Sequence, residues 1–143
     1  MPITEYQEIT HVLTRTKVIA IVGLSPKLDR PSHEVAKFLL ARGYDIIPVN
    51  PACVEILGRP CYPNLAAVPR AVDMVDVFRK SEDVLPTAQE AIRIGAKSLW
   101  LQLGVINPQA MLLAKAAGLI AVENLCIKIE YMQRFGLQPL DSM

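Results

Sequence analysis

Short apolar runs recur along the chain, and most are followed by a segment in which apolar residues return every three or four positions. KVIAIVG, residues 17–23, is β-branched and ends on glycine, the pattern of a strand buried on both faces. Before it, residues 4–15 place Ile9, Val12 and Leu13 at helical spacing behind a capping Thr4, which predicts a short docking helix. After it, Val35, Phe38 and Leu39, with Ala36, give a helix over 32–42 that Gly43 closes. YDIIPVNP, 44–51, predicts a second strand stopped by prolines. Residues 52–70 carry Gly58, Pro60, Pro63 and Pro69 and read as irregular, with a turn of helix at 65–68. VDMVDVF, 72–78, is a third strand. Residues 82–94 follow as a helix, which Pro86 tolerates only in its first turn and Gly95 ends. A fourth strand covers 97–103. Asn107, Pro108 and Gly118 then mark the cap, first position and end of another helix. LIAV, 119–122, is a fifth strand. The last helix, about 124–135, packs through Ile127, Ile129 and Met132 or Tyr131, and the tail beyond Gly136 is expected to be loose.

Strands alternating with helices imply right-handed crossovers and a parallel sheet covered on both faces. The expected fold is α/β: a three-layer, doubly wound, Rossmann-like domain formed by residues 1–143 as one unit. Ligands of such sheets bind at the carboxyl ends of the strands, where strand order reverses. That rule gathers residues 23–31, 49–51, 78–80 and 102–107 around one crevice.

Composition narrows the classes. The chain is 52% apolar and 20% charged with a net charge of +1, so no electropositive field for nucleic acid exists and Lys and Arg form no block. No run approaches a membrane span, and MPITEYQEITHVL carries glutamates where a secretory signal is basic, which makes the cytoplasm the expected compartment. Cys53, Cys61 and Cys126 form no CxxC pair and are odd in number, which reads as free thiols rather than a disulfide framework or zinc site. His11 and His33 are far apart and read as surface residues, so no metal ligand set is expected.

The loop after the first strand carries the candidate chemistry. Gly23 matches the first position of the dinucleotide fingerprint GxGxxG, but Ser25 and Leu28 replace the other glycines. The loop instead offers a hydroxyl and two cations, Lys27 and Arg30, leading into the positive end of a helix, which are tools for binding phosphate. At the end of the second strand an NAD site carries Asp or Glu for the ribose, whereas this chain has Asn50 and Pro51. An amide accommodates a phosphorylated ribose without charge repulsion.

VGLSPKLDRPS, IIPVNP, LGRPCYPNLAAVP, VDMVDVFRKSE and LWLQLGVIN, in that order and spacing, resemble the CoA-binding proteins of the succinyl-CoA synthetase α N-terminal type, over roughly residues 17–132. The resemblance is strongest to the small stand-alone, YccU-like members, and similar segments occur in ADP-forming acyl-CoA synthetases. It implies coenzyme A as ligand, with Gly23, Leu24, Ser25 and Pro26 receiving its phosphates and Lys27 and Arg30 adding charge. Asn50 and Pro51 would lie by the adenosine, and Phe78, Arg79 and Lys80 by the adenine and pantetheine. Gln102 and Gly104 are candidates for the pantetheine end; Asn107 is a helix cap first.

The full synthetases of this type use a phosphorylated histidine in a second domain, and neither His11 nor His33 matches that position. No nucleophile and base pair is evident, so no catalytic residue is assigned. The reading is non-catalytic binding of CoA or acyl-CoA, as a sensor or carrier with an unidentified protein partner. The alternatives are an oxidoreductase with an atypical NAD(P) loop, or a CoA-binding subunit of an acyl-CoA synthetase acting with a separate partner. Cys126, at the start of the last helix, is a candidate redox thiol for a mixed disulfide with CoA.

Overall fold

The structure is a computed structural model and describes residues 3–142. Five parallel strands form the central sheet: β1 (Val18–Val22), β2 (Asp45–Val49), β5 (Met74–Val77), β6 (Ser98–Leu101) and β7 (Ile120–Val122). Their spatial order is β2-β1-β5-β6-β7, so strand order reverses between β1 and β5. The doubly wound reading is therefore correct, and the switch point falls beside the loop that follows β1.

Side-chain alternation sorts the helices. Ala20, Val22, Val75, Val77, Leu99 and Leu101 face α3 (Val84–Arg93) and α4 (Pro108–Ala116) on one side. Ile19, Ile21, Met74 and Trp100 face α1 (Glu5–Arg15), α2 (Pro31–Arg42) and α5 (Ile127–Phe135) on the other. All three layers are accounted for. Each large apolar side chain so buried contributes roughly 1.5–3 kcal/mol. Trp100 is fully buried, and its indole Nε1 donates to the Leu125 carbonyl at 2.8 Å.

One strand residue breaks the apolar pattern. Asp76 shares its row with Ile21 and Trp100, is 0% exposed, and neither carboxyl oxygen has a hydrogen-bond partner. Burial holds its pKa well above the usual carboxylate range, against a weak opposing attraction from the Val77 amide. Burial therefore favours the protonated form of this side chain.

The caps fall where the residue types predict. Thr4 and Gln7 form a reciprocal capping box on α1, and Asn107 accepts from the Ala110 amide to start α4. Three expectations need correction. Ile129 and Met132 are 46% and 43% exposed, while Ile127 and Tyr131 are buried. At 3.6 residues per turn, positions 127 and 131 share a face, and 129 lies more than half a turn away. Within the supposedly irregular 52–70, β3 (Glu55–Ile56) pairs antiparallel with β4 (Arg59–Pro60). Leu57 and Gly58 both take positive φ, which closes that hairpin as a two-residue turn. The tail, expected to be loose, makes defined contacts. Tyr131 donates to the Gln138 carbonyl and Leu140 packs beside Gly43.

Candidate functional site

Gly23 ends β1 with φ +87°, and a Cβ built there would stand 2.2 Å from the Phe78 carbonyl oxygen. The backbones at the ends of β1 and β5 therefore approach as closely as only glycine allows. Gly23 N–H donates to the Val49 carbonyl at 2.9 Å and Phe78 N–H to the Val22 carbonyl at 2.8 Å, fixing three strand ends together.

Beyond Gly23 the loop folds over the start of α2. Ser25 N–H donates to Ser32 Oγ, and Ser25 Oγ accepts from the Lys27 amide. A hydroxyl that accepts one bond still has its proton to donate. His33 is 3% exposed, not on the surface as expected, because its ring lies beneath the loop with Nδ1 2.9 Å from the Ser25 carbonyl. A carbonyl oxygen only accepts, so Nδ1 carries the proton, and Nε2 is left buried without a partner. His11 is exposed, as expected.

A cleft of about 360 Å³ opens above this loop, lined by Gly23, Ser25, Lys27, Arg30, Pro31, Ser32 and Phe78. Lys27 and Arg30 are exposed, and among the described residues neither forms an ion pair. Asp29, also exposed, offsets one of those charges, leaving the loop cationic. Arg30 is the N-cap residue of α2, with no side-chain cap bond, and Pro31 occupies the first helical position. A cation at a helix's positive end is unfavourable until an anion joins it, which suits a phosphate there. A larger hollow of about 800 Å³ lies at the opposite, amino end of the sheet, beside the Asp45 pair with Arg59 and Arg70. The switch-point rule assigns ligand binding to the smaller cleft.

The remaining candidate residues divide by what their side chains already do. Leu24 is fully buried, so its side chain supports the loop from below and does not line the cleft. Asn50 Nδ2 donates to the Leu24 carbonyl at 2.9 Å and Oδ1 accepts from Ala52 N–H at 2.8 Å. Its amide thus ties the β1 loop to the β2 corner, with exposed Pro51 beside it. Pro26 is exposed at the loop's crest, Arg79 half-buried and Lys80 exposed just after Phe78. Gln102 is 4% exposed, and its Oε1 accepts from Ile127 N–H at 3.2 Å, so it caps α5 rather than opening into the crevice. Half-buried Cys126 is the N-cap residue of that same helix.

A wall on the β6 side was not legible from the sequence. Ser81 Oγ accepts from Ile106 N–H, Asn107 Nδ2 donates to the Ser81 carbonyl, and Glu123 accepts from Asn107 N–H, all within 3.0 Å. Gly104 N–H donates to Asn124 Oδ1 at 2.8 Å. Loops after β5, β6 and β7 are thereby joined into one rigid edge. Ser32 was likewise missed; its position in the first turn after a phosphate-type loop was the available signal.

The fold and cleft define a Rossmann-like domain with a single-glycine, cationic loop at the switch point, a class that binds phosphorylated ligands. Residues 17–132 match the family model described as CoA binding domain, and the chain belongs to that family. Coenzyme A is accordingly its ligand. The chain is similar to YneT of Bacillus subtilis, 40% identical over 124 residues that span 87% of this chain and 92% of YneT. A solved structure of a hypothetical protein from Pyrococcus horikoshii OT3 is similar at 40% identity and TM-score 0.87, covering 93% of this chain and 98% of that one. ADP-forming acetate–CoA ligase I of Archaeoglobus fulgidus is 32% identical over 77 residues, 54% of this chain but 11% of the ligase.

Proposed function

We propose that the chain is a CoA-binding module that presents the coenzyme to a separate acyl-activating partner. The observation that carries this reading is the likeness to the ADP-forming ligase, in which the matched segment is a small part of a longer chain. The cleft supports it with a donor hydroxyl on Ser25, two exposed cations and a helix start with no side-chain cap for the pyrophosphate. Gly23, Pro26, Asn50, Pro51, Phe78, Arg79, Lys80 and Gly104 border the path along the strand ends that a long ligand would follow. Leu24 and Gln102 hold the frame.

The test adds this protein to an ADP-forming acetate–CoA ligase whose own CoA-binding segment has been removed. CoA-dependent formation of ADP from ATP and acetate that appears with the wild-type chain and not with Arg30→Ala supports the module. Tight CoA binding without restored turnover favours the second reading, a stand-alone holder or sensor of CoA, for which the observation is a relative of nearly the chain's own length. Stabilisation by NAD but not by CoA in a thermal shift overturns both, since a bound ligand raises stability by mass action.

A further inference from the structure

Two of the three thiols meet at the corner that follows Asn50. Cys53 N–H and Cys61 Sγ both donate to the Asn50 carbonyl, at 3.4 and 3.5 Å. The β3–β4 ladder continues one step beyond its paired residues, with Cys61 N–H donating to the Val54 carbonyl at 2.9 Å. Cys53 therefore stands diagonally across the hairpin from Cys61, a placement that puts the Cα atoms about 6 Å apart. That spacing lies inside the range a disulfide spans. Both side chains are half-buried against the same core cluster, while Val54 between Cys53 and the ladder is 88% exposed. The Cys61 sulfur and the Cys53 amide thus converge on one backbone oxygen.

We propose that Cys53 and Cys61 form a reversible thiol–disulfide site, oxidised by a low-molecular-weight disulfide, whose state sets the covalent anchoring of the Asn50–Pro51 corner. The Cys53 thiolate attacks one sulfur of the small disulfide RS–SR, forming Cys53–S–SR and expelling RS⁻, which takes up a proton. The Cys61 thiolate then attacks the Cys53 sulfur, forming the protein disulfide and expelling the second RS⁻. Two electrons and two protons pass from the protein thiols to the small disulfide, giving two RSH. Burial pushes the Cys61 thiol up, with the neighbouring Cys53 adding to it, which assigns the first attack to Cys53. Because Asn50 holds the Leu24 carbonyl, the modified hairpin adjoins the ligand loop directly.

The test incubates the intact protein with glutathione disulfide, blocks remaining thiols and maps the products by mass spectrometry. The expected result is the loss of two hydrogens, located between Cys53 and Cys61, with Cys126 still alkylated. Cys61→Ser should convert this product into a persistent glutathione adduct on Cys53, and Cys126→Ser should leave the pair's oxidation unchanged. Full alkylation of both Cys53 and Cys61, or an adduct confined to Cys126, overturns the proposal. Direct CoA binding to the reduced protein is measured separately, so a failed ligand reading and a failed thiol pair give different results.

Discussion

Alanine at position 23 would place a methyl carbon 2.2 Å from the Phe78 carbonyl oxygen, where carbon and oxygen normally stand at least about 3.3 Å apart. The ends of β1 and β5 would have to separate by about 1 Å, across the Phe78–Val22 backbone bond. Holding alanine at positive φ costs about 1–2 kcal/mol, and the overpacking roughly 1–3 kcal/mol more. The sum, about 2–5 kcal/mol, is a large part of a typical domain stability and corresponds to a Tm drop on the order of 10 °C. Gly104→Ala is the matched control, because Gly104 has φ +86° but nothing within 4 Å of a Cβ. It should show the dihedral cost alone, about 1–2 kcal/mol. Thermal unfolding followed by circular dichroism reads both variants, and CoA titration below the transition reads the site. Equal Tm losses for the two variants would refute the close-approach argument, whatever the titration shows.

Arg30→Ala should weaken CoA binding by about 1.5–3 kcal/mol if the guanidinium bonds a phosphate, and calorimetry showing unchanged affinity would return it to a solvated loop charge. Asp76 holds its proton in the folded chain above the pH at which the unfolded chain releases it. Wild-type stability should therefore fall as pH rises above about 4, with a slope up to about 1.4 kcal/mol per pH unit until the folded group ionises. Asp76→Asn should lack that slope in urea melts across pH, and parallel curves for the two proteins would sink the assignment. Asn107→Ala removes the α4 cap and the bond to the Ser81 carbonyl, and should cost about 1–2 kcal/mol in chemical denaturation while raising hydrogen exchange at the Ile106 amide. Protection there equal to wild type would mean that the wall does not depend on Asn107.

The sheet was legible because its strands are continuous β-branched runs and its helices start and stop on Thr4, Asn107, Pro108 and glycines, signals that act within a few residues. The hairpin at 55–60 escaped notice because Gly58 and Pro60 interrupt that stretch and each strand is two residues long. The face of α5 was misjudged because Ile129 and Met132 are apolar, and apolarity alone does not say which side of a helix meets the sheet. Within the site, Gly23, Ser25, Lys27 and Arg30 from the loop after β1 line one cleft with Phe78 from the end of β5. The second function of Asn50, the capping by Gln102 and the burial of His33 were not legible. Each depends on a partner in another loop, and partners at such separations are fixed by the fold rather than by the local pattern.

The lone tryptophan turns the described packing into an optical signal. Trp100 donates to the carbonyl of the residue just before Cys126 and stands in the same row as buried Asp76. Its emission therefore reads the hydration and polarity of the sheet's centre and of the β7–α5 junction at once. Ionisation of Asp76, loss of the Leu125 contact, or a bulky group attached at Cys126 should each alter its colour or intensity, without any label being added.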